Sequence, residues 1–173
     1  TMRFSNTDWL KAISRTGFSQ SYDLSISNAT DKYSALMSVG YKKNNGILKY
    51  TDFENFSGRV NTSFNVNKLV TIGENLTVSY TNQVNSFPME NALKMPPVVP
   101  VYEIDGKTFA GPVGSMSDRE NPAREQYDNR KNHLDYWRIF GNGYVEIKPV
   151  KGLTLKSNFG IDYKTSFINA MTH

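Results

Sequence analysis

The sequence predicts an all-β protein: an antiparallel, up-and-down segment of about six long strands from a transmembrane β-barrel, with a short N-terminal helix and one long loop. Three observations carry this prediction. Apolar and polar residues alternate over long runs, every second connection is short, and Tyr and Phe recur at the ends of the apolar faces. Soluble strands usually have about five or six residues, whereas a tilted membrane-crossing strand needs about 9–11.

The composition permits such a sheet and excludes several other classes. The 173 residues are 13% aromatic but only 38% hydrophobic, as a sheet with one apolar and one wet face requires. No Cys is present, so disulfides and thiolate metal sites are excluded. No apolar run has the roughly 18 residues of a membrane-spanning helix. The basic residues behind the net charge of +4 are scattered, which argues against nucleic-acid binding.

Residues 1–17 are expected to form a loop that contains a short amphipathic helix. Asn6 or Thr7 can cap this helix. Trp9 and Ile13 share its apolar side, and the glycine at the end of the range can stop it.

Four strands are predicted over residues 18–82. The first begins at Phe18 and the second at Tyr33, and a tight connection at 67–69 joins the other two. In each strand the apolar side chains share one face, while Asn, Ser and Thr dominate the other. Glu74 departs from this pattern because it falls on the apolar face, where a charge in lipid is costly. We therefore expect a bulge there or a position near the membrane interface.

The range 83–133 is predicted to be a long loop. Its proline-rich stretch at 96–100 is expected to be extended. Asp105 and the glycine after it are typical of a small hairpin turn. Asn121 followed by Pro122 predicts an N-cap and the first residue of a short helix. Loops of this length are usually functional or disordered.

Two further strands are predicted within residues 134–165, joined by a short turn at 149–152. Phe140 and Tyr144 fall on the otherwise polar side of the first of them. The connections between the six strands are then alternately short and longer. Outer-membrane barrels have this asymmetry, with short periplasmic turns and longer extracellular loops.

The spacing of aromatic residues agrees with a membrane barrel. Tyr33 and Tyr41 lie eight residues apart on one apolar face, and Phe56 and Phe64 repeat this spacing. Along a tilted strand this separation approaches the roughly 25 Å apolar band that aromatic girdles flank.

The alternative fold is a soluble, secreted β-sandwich that binds carbohydrate through its loop aromatics. An enzyme is not expected, because the loop carboxylates match neither a calcium-loop pattern nor an acid/base template. The two His residues have no second His at ligand spacing, so no metal site and no cofactor are predicted.

Several segments carry a resemblance to a known family. They are NTDW at 6–9, FSQSYDLSIS at 18–27, TDK at 30–32, FSGRVN at 56–61, IGENL at 72–76, PVVPVY at 97–102, GNGYVEI at 141–147 and SNFGIDY at 157–163. In this order and spacing they resemble the SusC/RagA family of TonB-linked outer-membrane transporters. Glu74 departs from the small residue expected at its position in the family.

The resemblance implies that residues 1–173 are an early part of a barrel of about 22 strands in the outer membrane of a Gram-negative bacterium. The family pairs with a SusD-like surface lipoprotein and is powered through TonB. The plug and the TonB-contacting segment are expected to lie outside this chain. Residues 1–17 and 83–133 would face the cell exterior, outer-membrane lipid would surround the apolar face, and the imported nutrients would be glycans or oligopeptides.

Two sets of candidate site residues follow from the alternation and the resemblance. The residues expected to line a wet lumen are Arg59, Asn61, Asn75, Asn142 and Asn158. The loop residues expected to contact the ligand or the lipoprotein are Tyr102, Asp105 and Phe109.

Overall fold

The computed structural model describes residues 5–112 and 118–170. Its main feature is one antiparallel sheet whose six strands are neighbours in chain order. The strands are β1 (Phe18–Ala29), β2 (Tyr33–Asn45), β3 (Asp52–Asn65), β4 (Val70–Val84), β5 (His133–Ile147) and β6 (Leu155–Asn169). With 12 to 15 residues each, they exceed the roughly 9–11 that a tilted membrane crossing needs. The predicted six-stranded, up-and-down order is confirmed.

Each strand pairs with the next in an uninterrupted register, so the alternation of side chains continues across the whole sheet. One register row on what we call the apolar face is Leu24, Val39, Gly58, Val78, Ile139 and Tyr163. The adjacent row on the opposite, polar face is Ser25, Ser38, Arg59, Thr77, Phe140 and Asp162. The sheet therefore has two faces of opposite chemistry along its full width.

Aromatic side chains form a row across the apolar face near the long connections. The row consists of Tyr22, Tyr41, Phe56, Tyr80 and Trp137. Two neighbouring pairs in this row have close rings, with centroids 4.7 Å apart for Tyr41 and Phe56 and 5.0 Å apart for Tyr80 and Trp137. Tyr33 opposite Phe64 marks a second aromatic position near the short turns. Both ends of the apolar face therefore carry aromatic residues, as the spacing predicted.

Of the two arrangements expected at Glu74, a bulge or a position near the membrane interface, the structure excludes the bulge. Glu74 pairs in regular register with Thr62 on one side and Gly143 on the other. It lies two residues further into the sheet than the row of Tyr33 and Phe64, or about 7 Å at about 3.4 Å per residue. Small neighbours on both adjacent strands leave room for its side chain to extend towards the nearer end of the sheet.

A single sheet accounts for all strands in the described ranges, and no second sheet there packs on either face. The β-sandwich alternative is therefore wrong. Its core would have to bury side chains such as Leu24 and Phe159, which are 72% and 75% exposed. Within the described residues, none of the helices is both long and apolar enough to cross a membrane.

The long connections fold into a small layer at one end of the sheet, which we call the loop cap. It contains α1 (Trp9–Ile13), the turn at 46–51, α2 (Met89–Lys94) and α3 (Pro122–Asn129). Its core is formed by Trp9, Ile13, Leu48, Ala92, Met95 and Val99. The described parts of the long loop, residues 83–112 and 118–133, thus contribute helices and turns to a layer with an apolar centre.

The start of α1 differs from the prediction. Asp8, rather than Asn6 or Thr7, caps the helix by accepting a hydrogen bond from the Lys11 amide at 3.0 Å. Thr7 instead donates through its hydroxyl to the Val99 carbonyl at 2.8 Å. Thr7 therefore binds the long loop instead of capping the helix. The helix ends at Ile13.

Local signals in the long loop were partly correct. The hairpin at Asp105 and the Asn121-capped α3 are confirmed. The stretch at 96–100 is not simply extended, because the Val99 amide donates to the Pro96 carbonyl at 3.1 Å and closes a turn. Helix α2 was not predicted, since six residues give too short a pattern to distinguish from a loop.

Candidate functional site

The five residues predicted to line a wet interior all lie on the polar face of the sheet. Asn61, Asn75 and Asn142 are opposite one another on β3, β4 and β5. The Asn75 side-chain amide donates to Asn142 Oδ1 at 3.1 Å. Asn158 lies one row away on β6, and Arg59 one row away on β3. The sheet therefore presents a continuous strip of neutral amides with a cation beside it.

A shallow groove of about 430 Å³ follows this strip. Its lining residues are Arg59, Asn61, Asn75, Thr77, Ser79, Arg138 and Phe140. Arg59 forms no ion pair within the described ranges, so its guanidinium is available to a ligand or to another part of the protein. Amides and hydroxyls can both donate and accept hydrogen bonds, so this surface suits polar, uncharged or anionic molecules.

The second arginine of this groove is held differently. Arg138 binds Asp162 through two parallel hydrogen bonds, from Nε at 2.8 Å and from a terminal nitrogen at 2.7 Å. Such a bidentate pair fixes the guanidinium plane. The alternation along β5 puts Arg138 on the polar face, but its pairing with Asp162 depends on the register between β5 and β6, which no local pattern gives.

Tyr144 explains one aromatic exception on the polar face. Its ring lies directly over Gly73, where a Cβ atom would overlap the ring. Lys156 Nζ lies 4.0 Å from the centroid of the same ring, a cation–π distance. The aromatic side chain thus covers a glycine in the neighbouring strand, a known device for stabilising sheets.

A second candidate site lies in the loop cap, and we call it the aromatic groove. It has a volume of about 500 Å³ and is lined by Tyr50, Tyr102, Lys107, Thr108, Phe109, Arg124 and Tyr127. The Phe109 ring lies 5.0 Å from Tyr102 and 5.4 Å from Tyr127, measured between centroids. Lys107 and Arg124 are its cationic lining residues, and Arg124 is paired with Asp128 at 3.3 Å. Tyrosine and arginine are the residue types that most often anchor binding interfaces.

Several contacts fix the aromatic groove in place. Asn121 is buried, and its amide donates to the Val101 and Ala110 carbonyls at 2.9 and 3.0 Å, which clamps the hairpin onto α3. The Arg130 guanidinium lies 3.4 Å from the ring centroid of Tyr127. These contacts connect the hairpin, α3 and the Tyr127 ring to one another.

Tyr50 reaches the groove through an unusual backbone conformation. Its φ is 60°, in the left-handed region that non-glycine residues rarely occupy. Its ring meets the Tyr127 ring edge-on at 6.2 Å. Strained residues of this kind cluster at functional sites. Sequence reasoning missed both Tyr50 and Tyr127, because neither belongs to the hairpin that suggested the site.

Asp105 is placed differently from the other two predicted loop residues. Tyr102 and Phe109 line the groove. Asp105 lies in the turn of the hairpin, where its carboxylate accepts hydrogen bonds. Hydrogen bonds from the Thr108 hydroxyl and from the Lys107 and Thr108 amides lower the pKa of this carboxyl. Asp105 therefore stabilises the turn rather than facing the groove.

Metal ligation has no geometric basis in the described residues, where no three His, Asp or Glu side chains converge. The aromatic groove and the groove along the polar face are instead lined by hydrogen-bonding, cationic and aromatic groups.

Comparison with known proteins gives a consistent set of relatives, although no family model matches the chain. TonB-dependent receptor P39 of Formosa agariphila is 26% identical over 162 residues, which are 91% of this chain and 15% of the receptor. TonB-dependent receptor SusC of Bacteroides thetaiotaomicron is 26% identical over 187 residues, 94% of this chain and 17% of the receptor.

A solved structure shows the same fold. The RagAB peptide transporter superposes with a TM-score of 0.74 at 23% identity, over 94% of this chain and 19% of that chain. By length, this chain spans 15% of receptor P39 and 17% of receptor SusC. These proteins are named as receptors and transporters rather than enzymes. Together, the two-faced six-stranded sheet and these matches show that the chain is similar to a segment of TonB-dependent receptors that include SusC, and that it has the fold of part of a TonB-dependent transporter barrel.

Proposed function

We propose that this chain forms part of the wall of a nutrient transporter in the outer membrane of a Gram-negative bacterium. The polar face lines the lumen and the apolar face contacts lipid. The observation that carries this proposal is the separation of the two faces across all six strands. Val39 and Ile161 on the apolar face are both 61% exposed, whereas Arg59 and the Asn side chains lie on the other side. A lipid environment favours the first surface and penalises the second.

The loop cap faces the cell exterior, where it meets nutrient and partner. Alternation of short turns with long connections supports this orientation. The imported nutrients are glycans or oligopeptides, a SusD-like lipoprotein captures them, and TonB supplies the energy through other parts of the transporter. Similarity to SusC and to a peptide transporter supports this assignment.

Tyr102 and Phe109 contact the ligand or the lipoprotein through the aromatic groove, while Asp105 holds the turn between them. Two partly exposed rings with cations nearby support this role. Aromatic rings bury large areas at a small entropic cost, so a rigid groove binds with little reorganisation.

The lumen assignment is tested by cysteine labelling, since the chain has no native Cys. Asn61 and Val60 are adjacent on β3 and point to opposite faces. In a full-length transporter without other cysteines, we expect Asn61→Cys to react with a small, charged thiol reagent and Val60→Cys to be protected by lipid. Equal reactivity of the two positions in the membrane, or the reverse order, would contradict the proposed orientation.

The role of the aromatic groove is tested by uptake. Truncation of an interface aromatic commonly costs more than about 1 kcal/mol, so we expect Tyr102→Ala with Phe109→Ala to lower uptake at limiting nutrient at least about fivefold. Phe87→Ala is the matched control, because Phe87 is a loop aromatic that is 75% exposed and does not line the groove. Unchanged uptake and unchanged lipoprotein affinity in the double variant would exclude this role.

A further inference from the structure

The short turns at the end of the sheet opposite the loop cap form an amphipathic surface. The turn after β3 and the turn after β5 lie side by side around a shallow depression of about 360 Å³. Its lining includes Lys68, Leu69, Lys148, Val150, Lys151 and Leu153, which we call the turn cluster. Three lysines and three apolar side chains thus come together from two connections that are far apart in the sequence.

Hydrogen bonds hold the two turns in a fixed relation. Asn67 Oδ1 accepts bonds from the Leu69 and Val70 amides at 2.8 and 2.9 Å. The Lys148 amide donates to the Leu69 carbonyl at 2.7 Å, which joins the two turns directly. Gly152, with φ of 89°, allows the second turn to close in a conformation that other residues avoid. The turn cluster is therefore a preformed surface.

The charge of the turn cluster is only partly balanced. Lys148 pairs with Glu146 at 3.0 Å. Lys68 and Lys151 form no ion pair within the described ranges. Two unpaired ammonium groups favour binding of an anion at this end of the sheet.

Two exposed apolar side chains of the turn cluster lie just beyond the ends of β5 and β6. Ile147 and Leu155 are opposite each other at the last position of the apolar face. Beyond them, Val150 is 62% and Leu153 is 46% exposed. An anion that fits here needs an apolar portion next to its charge, which describes a phospholipid better than a free phosphate.

We propose that the turn cluster binds an anionic phospholipid of the periplasmic leaflet. Lys68 and Lys151 donate to the phosphate oxygens, and Val150 and Leu153 contact the glycerol and acyl region. Basic residues at a membrane surface attract anionic lipid in this way. This inference rests on the proposed function, because it requires the strands to cross the membrane with the short turns in the periplasm.

Lipid binding is measured on the purified full-length transporter by native mass spectrometry, with phosphatidylglycerol as the probe and phosphatidylcholine as the zwitterionic reference. We expect Lys68→Gln with Lys151→Gln to weaken phosphatidylglycerol binding about tenfold and to leave phosphatidylcholine binding unchanged. The pair Lys68→Arg with Lys151→Arg keeps the charge and should retain binding.

Lys32→Gln is the matched control, because Lys32 lies in the remaining short turn at the same end of the sheet but does not line the turn cluster. Phosphatidylglycerol binding that is unchanged in the double Gln variant overturns the proposal. An equal loss in Lys32→Gln also overturns it, since diffuse attraction would then explain the binding.

A separate measurement distinguishes failure of this proposal from failure of the orientation. In cells, Lys32→Cys, at the same end of the sheet but outside the turn cluster, should react with an impermeant maleimide only after the outer membrane is permeabilised. Labelling on intact cells overturns the proposed orientation and the lipid site together. Labelling only after permeabilisation, combined with unchanged phosphatidylglycerol affinity of the double Gln variant, overturns the lipid site alone.

Discussion

Ile13→Ala is expected to unfold the loop cap while the six-stranded sheet remains intact. Ile13 is 0% exposed in the centre of the loop-cap core. Its carbonyl also accepts a hydrogen bond from buried Gln126 at 3.1 Å, which ties α1 to α3. Truncation of a buried Ile to Ala costs about 2–5 kcal/mol, a large share of the stability of a layer this small.

The measurement is hydrogen exchange and limited proteolysis of the full-length transporter. In Ile13→Ala the amides of α2 and α3 should lose protection and the loop should be cleaved, while those of β1 to β6 stay protected. Leu10→Ala is the matched control, since Leu10 lies in the same helix but is 44% exposed. Equal loop protection in Ile13→Ala and wild type would show that this core does not hold the loop cap.

The loop-cap core also determines the aromatic groove. Tyr127 lies on α3, whose position depends on the bond from Gln126 to Ile13. Loss of the core should therefore displace Tyr127 and separate its ring from the rings of Tyr102 and Phe109. We expect Ile13→Ala to lower uptake for the same reason as the double aromatic variant, although it does not touch the groove.

Gly141→Ala is the second substitution expected to have a large effect, and it acts on the sheet itself. A Cβ atom at this position would lie 2.9 Å from the Asn75 carbonyl oxygen and 3.0 Å from the Leu76 side chain. The carbonyl belongs to β4 and cannot move without disturbing its pairing with β5. Overpacking of this kind typically costs about 1–3 kcal/mol.

Gly143→Ala provides the control for this prediction. Gly143 is on the same strand and the same face, but the nearest atom to its Cβ would be the Gly73 carbonyl oxygen at 3.9 Å. Urea titration of full-length transporter folded into lipid vesicles should show a lower midpoint for Gly141→Ala and little change for Gly143→Ala. Equal midpoints for the two variants would mean that β4 and β5 adjust without cost.

Short-range patterns predicted much of this protein. The alternation of side chains along β3 and β4 places Arg59, Asn61 and Asn75 on one face without any knowledge of neighbours. Asn121 before a proline and Asp105 before a glycine specify a helix start and a turn through local hydrogen bonds. These features depend on a few adjacent residues, so the sequence contains the information directly.

Other features depend on residues that are distant in the chain. The aromatic groove combines Tyr50 from the turn before β3 with Tyr127 from α3, and no local pattern connects them. Asp105 was expected at this site, but its carboxylate accepts hydrogen bonds from the amides of its own turn. The regular pairing at Glu74 likewise depends on small residues in two neighbouring strands.

The sequence by itself thus determined the strand number, the two faces and the short turns. The reason is that the alternation of side chains between the two faces is a property of each strand alone. Only the tertiary structure decided which residues meet across these elements. The Arg138–Asp162 pair, the core around Ile13 and the position of Lys68 and Lys151 around one depression all require a defined register or loop packing. Such contacts are set by the packing of whole strands and loops, so they become visible only in the folded protein.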